Sequence, residues 1–158
     1  MKQVFIFIYL LFLATAMQAK DAIAFLLTKN EAVTLYCHKN EALVVQTALN
    51  LFRQDYVKVL AASPRTESLK KARIVVGTID NSEIAAWAAE QGICLDGLQG
   101  KHEGFLLKVL GVGNKYRLAV LGSDKRGTAY GLMTLVRMMG VSPWQWWADC
   151  EPTPREVF

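Results

Sequence analysis

The segment from Tyr116 to Met139 constrains the fold of this chain more than any other. Tyr116-Arg-Leu-Ala-Val-Leu121 is a run of strand type, and from Arg126 the apolar residues fall at helical spacing, with Ala129, Leu132, Met133, Val136 and Met139 on one face. A strand must therefore hand over to a helix within Gly122-Ser-Asp-Lys-Arg-Gly127. Gly122 and Gly127 permit backbone angles or close approaches that a Cβ resists, and Ser123 or Asp124 can accept hydrogen bonds from the open amides of the first helical turn. Asp124 also sits well at the positive end of the helix dipole. Gly140 and Pro143 stop the helix, and Trp144, Trp146 and Trp147 follow at once.

Gly122 and Gly127 have the spacing of a phosphate loop, but Thr128 stands where that motif needs a lysine to reach the phosphates. Gly111-Val-Gly113 lacks a third glycine and leads into a strand rather than a helix, so it reads as a hairpin turn and not as a dinucleotide fingerprint. No cofactor is expected. The formal charge of +4 is dispersed, with Lys70-Lys71 and Lys125-Arg126 the only adjacent basic pairs, which is not the footprint of a nucleic-acid binder.

The rest of the chain predicts an α/β (α+β) domain. Ala22 to Leu27 and Ala32 to Cys37 are strand-like, divided by a Lys29-Asn30 turn. Glu41 to Ala62 is helical, with a stripe of Val44, Ala48, Leu51, Phe52 and Val59, and ends at Ser63-Pro64. Arg73 to Ile79 has the β-branched content of a central strand buried on both faces. Asn81 or Ser82 caps a helix carrying Ile84, Ala85 and Ala88, which stops at Gly92. Glu103 to Leu110 and Tyr116 to Leu121 read as paired antiparallel strands. Helices between strands and after a hairpin predict a mixed sheet with helices packed on it.

Lys2, the apolar run Val4 to Leu13 and the small residues Ala14 to Ala19 predict a signal peptide over 1–19, and so an exported, periplasmic or extracellular protein. The apolar run is well short of the roughly 20 residues that a membrane span needs. Cys37, Cys94 and Cys150 cannot all pair within one chain and are expected as buried free thiols. His38 and His102 lie at no ligand spacing from a cysteine or from each other, so no metal site is expected.

Gly122-Ser-Asp-Lys-Arg-Gly-Thr-Ala-Tyr-Gly-Leu132 with Gly140-Val-Ser-Pro-Trp-Gln-Trp-Trp-Ala-Asp149 resembles the end of the N-terminal domain of glycoside hydrolase family 115, the xylan α-1,2-glucuronidases. Ala72-Arg-Ile-Val-Val-Gly-Thr-Ile79 and Gly97-Leu-Gln-Gly-Lys-His-Glu-Gly-Phe105 resemble the same domain in order and spacing. The strand, Arg-Gly, Tyr-Gly, helix part is also similar to the accessory domains of family 20 hexosaminidases and family 67 glucuronidases. The resemblance implies a hexosaminidase-like accessory domain over 20–149, with 150–158 beginning a linker to a catalytic (β/α)8 barrel that this chain lacks. Family catalytic residues lie in that barrel, so none is carried over and the chain alone is expected to be inactive.

The implied function is a non-catalytic domain of an exported α-glucuronidase acting on glucuronoxylan, with the barrel as its partner. Trp144, Trp146, Trp147 and Asp149 are expected at the interdomain junction, because large aromatics dominate buried interfaces. Alone, such a surface makes a chain prone to association. The alternative is a free-standing carbohydrate-binding module that stacks the three indoles on a xylan-type polysaccharide. Arg126 could clamp a uronic carboxylate or pair with a neighbouring acid. A third reading, a small hydrolase, needs two carboxylates across a bond, and Asp124, Asp149 and Glu151 are the only acids nearby.

Overall fold

The computed structural model describes residues 25–112, 115–148 and 150–158. Five strands and three helices follow in the order β1 (Thr34–Cys37), α1 (Leu43–Leu60), β2 (Arg65–Thr66), β3 (Ile74–Thr78), α2 (Ser82–Glu90), β4 (Phe105–Val112), β5 (Lys115–Gly122) and α3 (Lys125–Met138), and a 3-10 turn over Pro143–Trp146 comes last. The sheet order is β2-β1-β3-β5-β4. β2, β1, β3 and β5 run parallel, and β4 returns antiparallel to β5 with Val112 opposite Lys115. The sheet is mixed, as the helix placement predicted, and Gly111 belongs to β4 rather than to the hairpin turn.

The period of two along each strand sends successive residues to opposite layers. Leu35, Ile74, Val76, Leu118 and Val120 face α1 and α3. Val75, Ala119 and Leu121 face α2 and the segment carrying Ile93 and Leu98. All five residues of β3 are buried, as expected of a strand covered on both faces. The α1 stripe is rotated from the expected one: Val45, Ala48, Leu49, Phe52, Tyr56 and Val59 are buried, whereas Val44 is exposed. Helical period alone left two phases open, and packing against both the sheet and α3 selected one. In α2, Trp87 rather than Ala85 joins Ile84 and Ala88 in the core.

The strand expected over Ala22 to Leu27 is not formed in its described part. Residues 22–24 lie outside the described residues, and Phe25 to Leu27 are irregular. Leu27 instead exchanges backbone hydrogen bonds with Phe158 (2.6 and 2.8 Å), and Thr28 bridges Val157. The run is apolar because Phe25 and Leu27 pack into the α1/α3 core, not because it belongs to the sheet. Residues 150–158, expected to begin a linker, are irregular but tied down: Arg155 donates to the Val59 carbonyl at 2.9 Å and Phe158 packs on the core. β2 was not foreseen, since two residues carry no periodicity.

A polar lock forms at the carboxyl ends of the parallel strands. The Glu41 carboxylate accepts from the Thr78 amide and hydroxyl, each at 3.0 Å, and the Thr78 and Thr128 hydroxyls are 2.9 Å apart. Glu41 thereby joins the loop after β1 to β3, and Thr128 joins both to the first turn of α3.

Candidate functional site

The turn into α3 is built as its residues require. Asp124 caps the helix, one oxygen accepting from the Gly127 amide (2.8 Å) and the other from the Glu103 amide (2.9 Å). These two bonds hold its carboxyl below the usual carboxylate range. Ser123 Oγ accepts from the Gly104 amide at 2.9 Å. A Cβ on Gly127 would stand 2.0 Å from the Gly104 carbonyl oxygen, and one on Gly122 would stand 2.1 Å from the Thr128 nitrogen. Both glycines are there for close approach, and the turn closes on the chain's own backbone rather than around a phosphate.

Arg126 pairs with Glu103 at 2.8 Å on the surface, the bland alternative raised by its position. The carboxylate raises the guanidinium pKa further. Arg126 lies at the start of α3 and the tryptophans follow its end, about 20 Å away along a 14-residue helix, so these candidates do not form one site.

Past α3, Gly140 has φ +93° and the Arg155 guanidinium fills the space where a side chain would be. Ser142 Oγ accepts from the Trp144 amide at 3.2 Å, and Pro143 supplies the preset φ of a first helical residue. The short turn that results projects aromatic residues outward. Trp144 is 65% and Trp147 84% exposed. Trp146 contributes its backbone to the turn, while its side chain and all of Asp149 lie outside the described residues.

A groove of about 490 Å³ runs between α1 and α3 and reaches Pro143 and Gln145 of the same turn. Leu51, Met133, Val136, Val141 and Pro143 give it apolar walls, and Tyr130 and Arg137 also line it. Asp55, only 4% exposed, lines it, and its Oδ1 accepts from Lys58 Nζ and Gln145 Nε2, each at 3.3 Å. Sequence reasoning missed Asp55, Gln145 and Tyr130. One signal was present: an acid set between Phe52, Tyr56 and Val59 of an apolar stripe marks a charge that the fold must accommodate.

The remaining candidates stay apart. His38 Nδ1 accepts from the Asn40 amide at 3.2 Å and its Nε2 lies 3.9 Å from Glu83, while His102 is exposed. All three cysteines are free, but only Cys37 is partly buried; Cys94 and Cys150 are exposed, because they fall in the loop after α2 and in the surface tail. Among the described residues no cluster of three or more His, Cys, Asp or Glu could hold a metal, and no helix is long and apolar enough to cross a membrane.

The fold is a mixed five-stranded sheet packed between helices, with Trp144 and Trp147 turned outward past α3. Residues 14–135 match the family described as glycosyl hydrolase family 67 N-terminus, and the chain belongs to that family. It is also similar to a solved structure of BtGH115A, a family GH115 4-O-methyl-α-glucuronidase with specificity for decorated arabinogalactans, at 38% identity and TM-score 0.77, over 85% of this chain and 17% of that one. The structure of CpGH84D, 13% identical with TM-score 0.55 over 77% of this chain and 20% of that one, shares the fold alone. This chain therefore spans about a sixth of the length of BtGH115A. No curated protein matches. The resemblance to a glucuronidase N-terminal domain is thus matched by the family over residues 14–135 and by the GH115 structure over 85% of the chain: this is a glucuronidase-type accessory domain.

Proposed function

We propose that this chain is the non-catalytic accessory domain of an exported α-glucuronidase, and that it braces the catalytic barrel through the segment that contains Trp144, Trp146 and Trp147. The observation that supports this most is the 38% identity to a GH115 α-glucuronidase across 85% of the chain. Exposed indoles on a domain-sized unit add to it, since large apolar patches mark interaction surfaces. Export rests on the residues of 1–19 alone. The substrate is a glycan bearing glucuronic acid or its 4-O-methyl form. Glucuronoxylan was the expected polymer, and the preference of BtGH115A for decorated arabinogalactans makes those an equal candidate.

Incubating the purified chain with decorated xylo-oligosaccharides and arabinogalactan is expected to release no uronic acid, and release at an enzymatic rate would overturn the accessory role. An in-frame barrel-encoding continuation in the gene is the positive expectation. A second reading, the carbohydrate module, is favoured by the outward indoles. Retention on either polysaccharide, abolished by Trp144→Ala and Trp147→Ala, would establish it instead.

A further inference from the structure

We propose that the groove between α1 and α3 receives an indole from a second copy of this chain, so that the chain on its own forms a two-fold dimer in which Trp147 of each copy enters the other's groove. This inference goes beyond the glucuronidase reading and does not rest on it.

Ring and groove complement each other. Trp147 is 84% exposed, and its backbone amide donates to the Trp144 carbonyl at 2.9 Å, which leaves the ring itself turned to the surface. An indole needs an apolar slot with one acceptor for its N–H. The groove offers about 490 Å³ between Leu51, Met133, Val136, Val141 and Pro143, with the Asp55 carboxylate in its lining. Among the described residues, Lys58 Nζ and Gln145 Nε2 both donate to Asp55 Oδ1, each at 3.3 Å. That is longer than the roughly 2.7–2.9 Å of strong charge-assisted bonds, and a carboxylate has about four lone-pair sites, so capacity remains for another donor.

The arrangement suits a two-fold axis. Pro143 and Gln145 wall the groove and Trp147 follows two residues later, so donor and acceptor surfaces are neighbours on one patch, as an isologous interface requires. Taking a large aromatic as about 200–250 Å², the exposed parts of Trp147, Trp144 and Tyr130 amount to roughly 450 Å² per copy. Two copies then bury about 900 Å² before the groove walls are counted, close to the ~1,000 Å² that a specific interface needs.

Sedimentation equilibrium under reducing conditions, which removes disulfide pairing through exposed Cys94 and Cys150, tests the proposal. The expected result is a monomer–dimer equilibrium with Kd in the range of tens of micromolar, weakened at least about tenfold by Trp147→Ala, as for a buried hot-spot aromatic. Thr134→Arg, which obstructs the groove from α3 without removing an indole, is expected to weaken it as strongly. Circular dichroism confirms that each variant is folded. A wild-type monomer at about 200 µM overturns the proposal, and so does a dimer insensitive to either substitution. The uronic-acid release assay tests the accessory-domain reading separately; in the full-length enzyme that reading gives this face to the barrel in place of the second copy.

Discussion

Replacing Gly127 with alanine tests whether close backbone approach defines the turn into α3. The added Cβ would meet Gly104 O at 2.0 Å, Gly104 C at 3.0 Å and Glu103 C at 3.1 Å, all backbone atoms that no rotamer change can move aside. Relief requires the 103–104 segment to shift, which stretches the Ser123 amide bond to the Gly104 carbonyl (2.8 Å) and the Gly104 amide bond to Ser123 Oγ (2.9 Å). Overpacking costs about 1–3 kcal/mol and each weakened hydrogen bond up to about 1 kcal/mol, while alanine's helix propensity returns at most about 1 kcal/mol. The expected net loss is roughly 2–4 kcal/mol, which lowers Tm by about 5–15 °C in a domain of this size. Two other glycines supply controls. Gly131→Ala meets only side chains, Val120 Cγ1 at 3.0 Å and Phe105 carbons at 3.4 and 3.5 Å, so its helix-propensity gain offsets most of the crowding. Gly97→Ala meets nothing within 4 Å and should change stability by less than about 0.5 kcal/mol. Thermal melts followed at 222 nm compare the three. If Gly127→Ala melts with Gly97→Ala, the contact between the α3 turn and Gly104 does not exist and the steric account of this turn is wrong.

Glu41→Ala should cost about 1–3 kcal/mol by urea denaturation, because it leaves the amide of nearly buried Thr78 without its acceptor; Glu41→Gln, which keeps one acceptor, should cost less. Asp124→Ala should cost about 0.5–2 kcal/mol as a lost cap. Because the folded-state pKa of Asp124 is depressed, its contribution is present above the unfolded value of about 3.9 and disappears as pH falls through the lower folded value. The gap between wild type and Asp124→Ala should therefore be full at pH 6 and narrow below about pH 3. Arg126→Ala should leave the melting temperature close to that of the wild type, since its pair with Glu103 is at the surface, and loss of any difference in high salt would confirm the pairing. Burial pushes the Cys37 thiol up to about 12, so Cys94 and Cys150 should be alkylated first at neutral pH; equally fast labelling of Cys37 by intact mass would contradict its burial.

Much of this protein was legible in its residues because the information was local. The β-branched run Arg73 to Ile79 could only be a strand covered on both sides, and β3 is buried throughout. Gly122, Asp124 and Gly127 specified a strand-to-helix turn through side-chain size and capping chemistry, and each serves as those properties required. Gly140 and Pro143 marked where α3 ends. What sequence left open depended on partners far along the chain. Whether Ala22 to Leu27 would be a strand turned on Phe158, about 130 residues away, with which Leu27 pairs. The phase of the α1 stripe turned on α3 and the sheet together, and two residues are too few for β2 to show any pattern. Asp55 became part of a groove only when Gln145 was folded against it from 90 residues away. Short-range sterics and hydrogen bonding are written in adjacent residues, whereas burial and grooves belong to surfaces that exist only once distant segments meet.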